Sequence, residues 1–226
     1  VSVLVLTGLL TADLIAPWPL WKTLSLVPTA AVAGVVVLTT QAELSPYTVG
    51  ANDNASGVGV VLSLARRLAE QPLDRTAVWA VLTGCEEVGC YGAEAFAEGH
   101  ANELDCPVWM AVDNVGGADA DPTWVTRELF FLPVKSDPQR LALAEKVANR
   151  CPDLGARGAD FELAYTEGAI GGKVGFRVLT LLALRADGSL PNWHRPSDVL
   201  ENVDPETVRK TEQFVWELMQ AIDDAS

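Results

Sequence analysis

The sequence predicts an α/β domain with a mostly parallel sheet covered on both faces. From residue 56 onward, apolar runs of strand length alternate with runs whose apolar residues fall at helical spacing. Strands alternating with helices need the crossover connections of a parallel sheet. Size agrees: 226 residues with 49% hydrophobic and 20% charged content are ample for one such core, short for two, and too apolar for disorder.

The first forty residues stand apart from this pattern. Residues 1–15 carry one charge, Asp13, and residues 23–40 carry none. Between them lies Ala16-Pro17-Trp18-Pro19-Leu20-Trp21-Lys22, a turn in which two Trp and one Lys would sit at a membrane–water interface. Two apolar helices joined there predict a membrane hairpin. The expected domains are therefore 1–45, the apolar segment, and 46–226, a catalytic unit. A soluble alternative makes 32–39 a buried parallel strand. The chain opens on Val1 and is read as part of something longer; its location is expected to be membrane-associated, otherwise cytoplasmic.

The remaining elements follow in order. Residues 56–70 place Val58, Val61, Leu62, Leu64, Ala65 and Leu68 at helical spacing, and 76–83 read as a strand. A short helix fits 91–97, a strand 108–113, a strand 124–132 and an amphipathic helix 138–150. A fully apolar strand fits 178–184. Residues 205–222 close the chain as a helix, with Asp204 placed to cap it.

Charge and cysteine content exclude several function classes. Sixteen Lys and Arg against 30 Asp and Glu give a net charge of −14, which repels phosphate backbones and argues against a nucleic-acid partner. Cys85, Cys90, Cys106 and Cys151 form no CxxC pair, and with only His100 and His194 in the chain no Cys/His zinc finger can be assembled. They read as small buried residues. His100 reads as the end of a surface helix.

The polar residues that suggest chemistry lie just past the predicted strands, where ligands collect in open α/β sheets. Asp53 sits in the small-residue loop GANDNASG; it is an N-cap, or a carboxylate held where it can bridge cations. Glu86 and Glu87 follow the 76–83 run in TGCEEVG, where one can ligate a metal while the other takes a proton from water. Asp113 ends the 108–112 run in AVDNVGG, as a cap or a ligand. His194 lies in a proline-stiffened loop with Asp198 nearby as a partner for its ring. Three carboxylates and an imidazole, with a spare Glu, supply the parts of a hydrolytic zinc site.

Taken in this order, GANDNASG, TGCEEVG, AVDNVGG and NWHRPSDVLENVD resemble the metallopeptidase family of leucyl aminopeptidases, aminopeptidase S, aminopeptidase Y and the glutaminyl cyclases, over roughly residues 50–222. The resemblance implies a three-layer αβα sandwich with a mixed, mostly parallel sheet, of the phosphorylase/hydrolase kind. It implies one or two Zn²⁺ ions, with Asp53 bridging, Glu87 and His194 on one ion and Asp113 on the other. Glu86 becomes the general base for a zinc-bound water that cleaves amino-terminal peptide bonds. Asn52, Asn114, Thr166, Glu167 and Asp198 are expected around these ligands or against the peptide substrate.

Two departures from the family stand out. Its His-x-Asp motif is missing, since no His precedes Asp53, and Gln41-Ala42-Glu43 falls about where that motif belongs. Either that ligand is lost, or residues 1–40 are a membrane insertion and the missing His is expected upstream of this chain. Tyr165-Thr166-Glu167 stands where the family has Ser/Thr-Asp. Two alternatives to an aminopeptidase remain at this point, a single-zinc glutaminyl cyclase and a non-catalytic binding or scaffold module that keeps the fold.

Overall fold

The computed structural model describes residues 1–104, 107–129 and 133–226. The chain divides into two units, Val1–Tyr47 and Thr48–Ser226. The first holds α1 (Ser2–Ile15) and α2 (Pro19–Leu44), joined through Pro17 and Trp18. Pro19 sits in the first turn of α2, where its missing N–H costs nothing. Trp18 and Trp21 pack edge to face at 5.5 Å. Residues 32–39 are therefore helical, which removes the alternative of a buried strand. Val35, Val36, Val37 and Leu38 are all exposed. Gln41 and Glu43 lie in the last turn of α2.

The second unit is built on β5 (Arg177–Leu184), buried at every position after Arg177. It pairs in parallel with β1 (Val108–Val112) and antiparallel with β2 (Asp121–Glu128). β2 also pairs antiparallel with β3 (Val134–Lys135) and in parallel with β4 (Arg157–Phe161), so the sheet is mixed. Side chains alternate across β5. Leu179 and Leu181 join the cluster formed by α3 (Gly57–Glu70), α5 (Pro138–Arg150) and α7 (Pro205–Asp224), through Val60, Leu64, Val147, Phe214 and Leu218. Leu182 and Leu184 face the other way, with Val125 and Phe161. On that opposite face Cys90 and Ala93, at the start of α4 (Tyr91–Gly99), and Ile170 of α6 (Glu167–Lys173) gather around Trp109. Helices thus cover both faces of the sheet, as the alternating pattern predicts.

Local signals set the element ends. Asp137 accepts the N–H groups of Gln139 and Arg140 at the start of α5, and Asp204 accepts that of Glu206 at the start of α7. One element departs from expectation: residues 76–83 form no strand. The run makes no ladder hydrogen bonds among the described residues, and Val78, Trp79 and Leu82 stay exposed. Trp79 instead packs edge-on against Phe96 and His100, so side-chain stacking takes the place of sheet pairing. The last residues of the strand expected over 124–132 and Cys106 lie outside the described residues.

Candidate metal centre

Three loops converge past the ends of β1 and β5. The first is the turn Ala51–Ser56, entered through Gly50 in the left-handed region (φ 71°). Its side chains act as a buried clamp. Asn52 Nδ2 donates to Asn114 Oδ1 and to the Pro191 carbonyl, both at 3.3 Å, and its Oδ1 accepts the Gly116 N–H at 2.7 Å. Asn54 Nδ2 donates to the Val112 carbonyl (3.1 Å), and its Oδ1 accepts from Gly57 and Asn114 N–H. A Cβ on Gly57 would collide with Asn54 Oδ1 and the Val112 carbonyl, so glycine is required where the turn crosses β1. Ser56 Oγ donates back to the Asn52 carbonyl at 2.7 Å and accepts the Val115 N–H.

This clamp fixes two carboxylates. Asn114 Nδ2 donates to Asp53 Oδ1 at 3.2 Å and to Asp113 Oδ1 at 2.9 Å, holding both acids from one amide. Asp198, 3% exposed, takes the backbone N–H groups of Asn52 (2.6 Å) and Asp53 (3.1 Å) on its two oxygens. It braces the Asp53 turn, where the sequence had suggested a partner for the His194 ring.

The second loop brings Glu86 and Glu87. Its turn is closed by the Gly89 and Cys90 N–H groups donating to the Glu86 carbonyl, both at 2.8 Å. The Cys90 thiol, 3.5 Å from Glu86 Oε1, donates to it. The third loop brings His194, whose ring stacks on Trp193 at 4.1 Å. His194 Nε2 lies 3.2 Å from Glu87 Oε2 and 3.5 Å from Asp53 Oδ2.

Asp53, Glu87 and His194 thus offer ligand atoms all within 4.8 Å of one another. Two carboxylates and an imidazole at that spacing suit a single zinc-sized cation. Asp113 is not part of this trio; it lies buried behind it, bonded to the Asn114 amide. Glu167 faces Glu86 and Asp113 from the start of α6, while Thr166 beside it turns to the sheet, bonding Glu128. Thr166 caps the helix through Gly168 N–H, and Glu167 Oε1 accepts a hydrogen bond from the Thr83 hydroxyl.

Backbone and electrostatics single out the same place. Of the six described non-glycine residues with positive φ, five flank the site: Cys85, Cys90, Asn114, Asn192 and His194. Each such conformation costs about 1–3 kcal/mol and persists only where surrounding contacts hold it. Burial raises the Asp53 carboxyl, and Glu87 raises it further. Burial pushes the Glu86 carboxyl up to about 7; the Cys90 thiol opposes this and the Glu87, Glu167 and Asp53 charges add to it. Asp113 is raised well above the usual range by burial, then by Asp53, Glu86 and Glu167. Crowded carboxylates of this kind are what a cation relieves.

Sequence reasoning missed two contributors. Asn54 lies among named residues, yet its clamp role depends on the crossing with β1. Glu128, 3% exposed, ends β2 and accepts hydrogen bonds from Thr166 N–H (2.7 Å), the Thr166 hydroxyl and the Thr180 hydroxyl. A single acid at the end of an apolar strand gave no signal to find it by.

Comparison with known proteins gives a family match and a shared fold. The model for peptidase family M28 matches residues 32–219. Aminopeptidase YwaD of Bacillus subtilis is 35% identical over 71 residues, which is 31% of this chain and 15% of YwaD. The structure of BSAP, a zinc aminopeptidase from Bacillus subtilis, superposes with a TM-score of 0.63 at 19% identity, covering 80% of this chain and 43% of BSAP. A glutaminyl cyclase from an Acidobacteriales bacterium superposes at 0.57 with 15% identity, covering 79% of this chain and 64% of the cyclase. These superpositions establish a shared fold. The chain spans less than two thirds of the length of each of these three relatives.

Proposed function

The chain belongs to peptidase family M28, and from that premise we propose that it carries the catalytic unit of a zinc-dependent aminopeptidase. The observation that carries this reading is the trio Asp53, Glu87 and His194 with ligand atoms within 4.8 Å, beside the adjacent carboxylate Glu86. These three residues hold the first ion, and Asp113, bonded through Asn114 to Asp53, stands ready for a second. When bound, zinc supplies Lewis acidity that activates water and polarises a carbonyl.

The chain's own groups do the rest. Glu86 takes the proton of the attacking water and delivers it to the leaving amine, and the Cys90 thiol keeps its carboxylate oriented. Asp198 and Asn52 hold the Asp53 turn fixed through this step. Glu86→Gln in the zinc-loaded protein should lower kcat on an aminoacyl 4-nitroanilide by about 10²–10⁴-fold, with zinc content unchanged. Wild-type turnover in that variant would remove Glu86 as the base. Equal hydrolysis of the N-acetylated substrate would argue against an aminopeptidase.

A second reading, a single-zinc glutaminyl cyclase, is favoured by one observation: Asp113 lies outside the three-donor trio. Pyroglutamate formation from an amino-terminal Gln peptide, without hydrolysis of the anilide, would select it. Absence of both reactions in zinc-loaded protein would favour a non-catalytic module.

The N-terminal unit supports a membrane location. α2 has 26 residues, and an 18-residue stretch within it has mean hydropathy 1.8 and is 11% buried; at 1.5 Å per residue the helix exceeds the roughly 30 Å of a bilayer core. Trp18, Trp21 and Lys22 stand at its N-terminal end, as interfacial anchors do. Release of the protein from membranes by carbonate wash instead of detergent would contradict this.

A further inference from the structure

More carboxylates surround the site than its metal chemistry uses. Asp53 and Glu87 lie within the trio and Asp113 behind it; Glu86 holds the proton. Glu167 has no part in either task. It opens α6, whose start is pinned to the sheet. Glu128 of β2 accepts from Thr166 N–H at 2.7 Å and from the Thr166 hydroxyl, and the Thr180 hydroxyl of β5 bonds the same carboxylate. A Cβ on Gly168 would strike Thr180 Oγ1, so this end of α6 can sit this close to β5 only with glycine there.

Glu167 is thus presented from a rigid base. Its Oε1 accepts from the Thr83 hydroxyl, three residues before Glu86. Its Oε2 receives no hydrogen bond among the described residues. It remains partly exposed, and its charge reaches both Glu86 and Asp113, raising each. A braced carboxylate with one free oxygen, facing other carboxylates, suits a cationic partner. Neither the ion proposed for the trio nor the second proposed at Asp113 takes Glu167 as a ligand, so its charge is left for the substrate to meet. The substrate of an aminopeptidase brings the missing charge as its α-ammonium.

We infer that Glu167 binds the α-ammonium group of the substrate, and that it is the residue by which this site selects a free amino terminus. This rests on the aminopeptidase reading above. An ammonium donates three hydrogen bonds, and Glu167 Oε2 takes one of them as a charge-assisted bond. The contact is made equally in the ground state and during reaction, so it acts on KM more than on kcat.

The test uses the full chain loaded with zinc, with leucine 4-nitroanilide and its analogue carrying hydroxyl in place of the amine. Glu167→Gln should raise KM for the amine substrate about 10- to 100-fold, the scale of one charge-assisted hydrogen bond. Its kcat should stay within about threefold, and the preference for amine over hydroxyl should collapse. Calorimetric titration with leucinamide should show the same loss of affinity, independently of turnover. Glu167→Asp keeps the charge on a shorter arm and should fall between wild type and Gln. Zinc content and melting temperature should match the wild type in both variants. If wild type hydrolyses the anilide while Glu167→Gln keeps its KM, its leucinamide affinity and its amine preference, this inference is overturned and the aminopeptidase reading stands. If the wild type hydrolyses no aminoacyl anilide, both fall together.

Discussion

On the buried side of the site, Asp53 and Asp113 are set by amides that solvent does not reach, whereas on the open side Glu87 and His194 mainly touch each other. Asn52, Asn114 and Asp198 are each no more than 3% exposed, and between them they bond Asp53 and its turn repeatedly. The side chains of Glu87 and His194 are 61% and 51% exposed. The buried side belongs to the fold and is preorganised. The open side is held by a loop backbone in left-handed conformations and, on the zinc reading proposed above, would gain a fixed geometry from a shared cation. Mutations on the two sides should therefore separate stability from metal binding.

The largest expected effect is on the buried side. Asp198→Ala leaves the Asn52 and Asp53 N–H groups buried without an acceptor, and should cost about 3 kcal/mol in chemical denaturation. Because the Asp53 turn loosens, zinc affinity should fall as well, by about 10–100-fold. Asn52→Ala strands the Gly116 N–H and the Pro191 carbonyl and should cost about 2 kcal/mol. On the open side, Glu87→Gln should leave stability within about 0.5 kcal/mol while zinc affinity drops by at least the same 10–100-fold. A loss of stability in Glu87→Gln comparable to that in Asp198→Ala would erase the distinction.

The smallest effect lies at the far end of α7 and serves as a control. Burial pushes the Asp223 carboxyl up, but hydrogen bonds from Thr76 and from the Asp74 and Arg75 backbone outweigh this and hold it below the ordinary carboxylate value. A group held low when folded contributes stability in full above its unfolded value, and that contribution is lost as pH falls through the lowered one. Melting temperature should therefore step down on acidification below the carboxylate range. Asp223→Asn should flatten the step without changing zinc affinity. An unchanged acid profile in that variant would show that the Asp223 bonds contribute nothing.

The same contrast explains what was legible in the sequence. Elements with one dominant signal were readable: α5 and α7 have capping Asp residues and helical periodicity, and β5 is uniformly apolar. β4, Arg157-Gly158-Ala159-Asp160-Phe161, mixes Gly, Arg and Asp and carries little strand signal; its pairing with β2 makes it a strand. α6 contains three glycines in seven residues and is fixed by its Thr166 cap and the Glu128 brace. The 76–83 run illustrates the converse, since β-rich composition without a bonded neighbour yields no ladder. Within the site, Asp53, Glu86, Glu87, Asp113 and His194 stood out because acids and a rare histidine recur in short Gly- or Pro-bearing loops, although only Asp113 directly follows an observed strand, β1. Their division into a buried and an open side depends on contacts between residues about 60 to 145 positions apart in sequence, which local patterns do not encode.

Asp53, Glu87 and His194 are proposed to hold zinc together. The most direct test is calorimetric zinc titration of the wild type and His194→Ala, with the metal-free melting temperature of each measured in parallel. The wild-type chain should bind at least one zinc ion tightly. The affinity of His194→Ala should be about 100-fold weaker or worse, with metal-free melting temperatures that agree. Equal zinc affinity in the two proteins, or no tight zinc in the wild type, would contradict the shared zinc site.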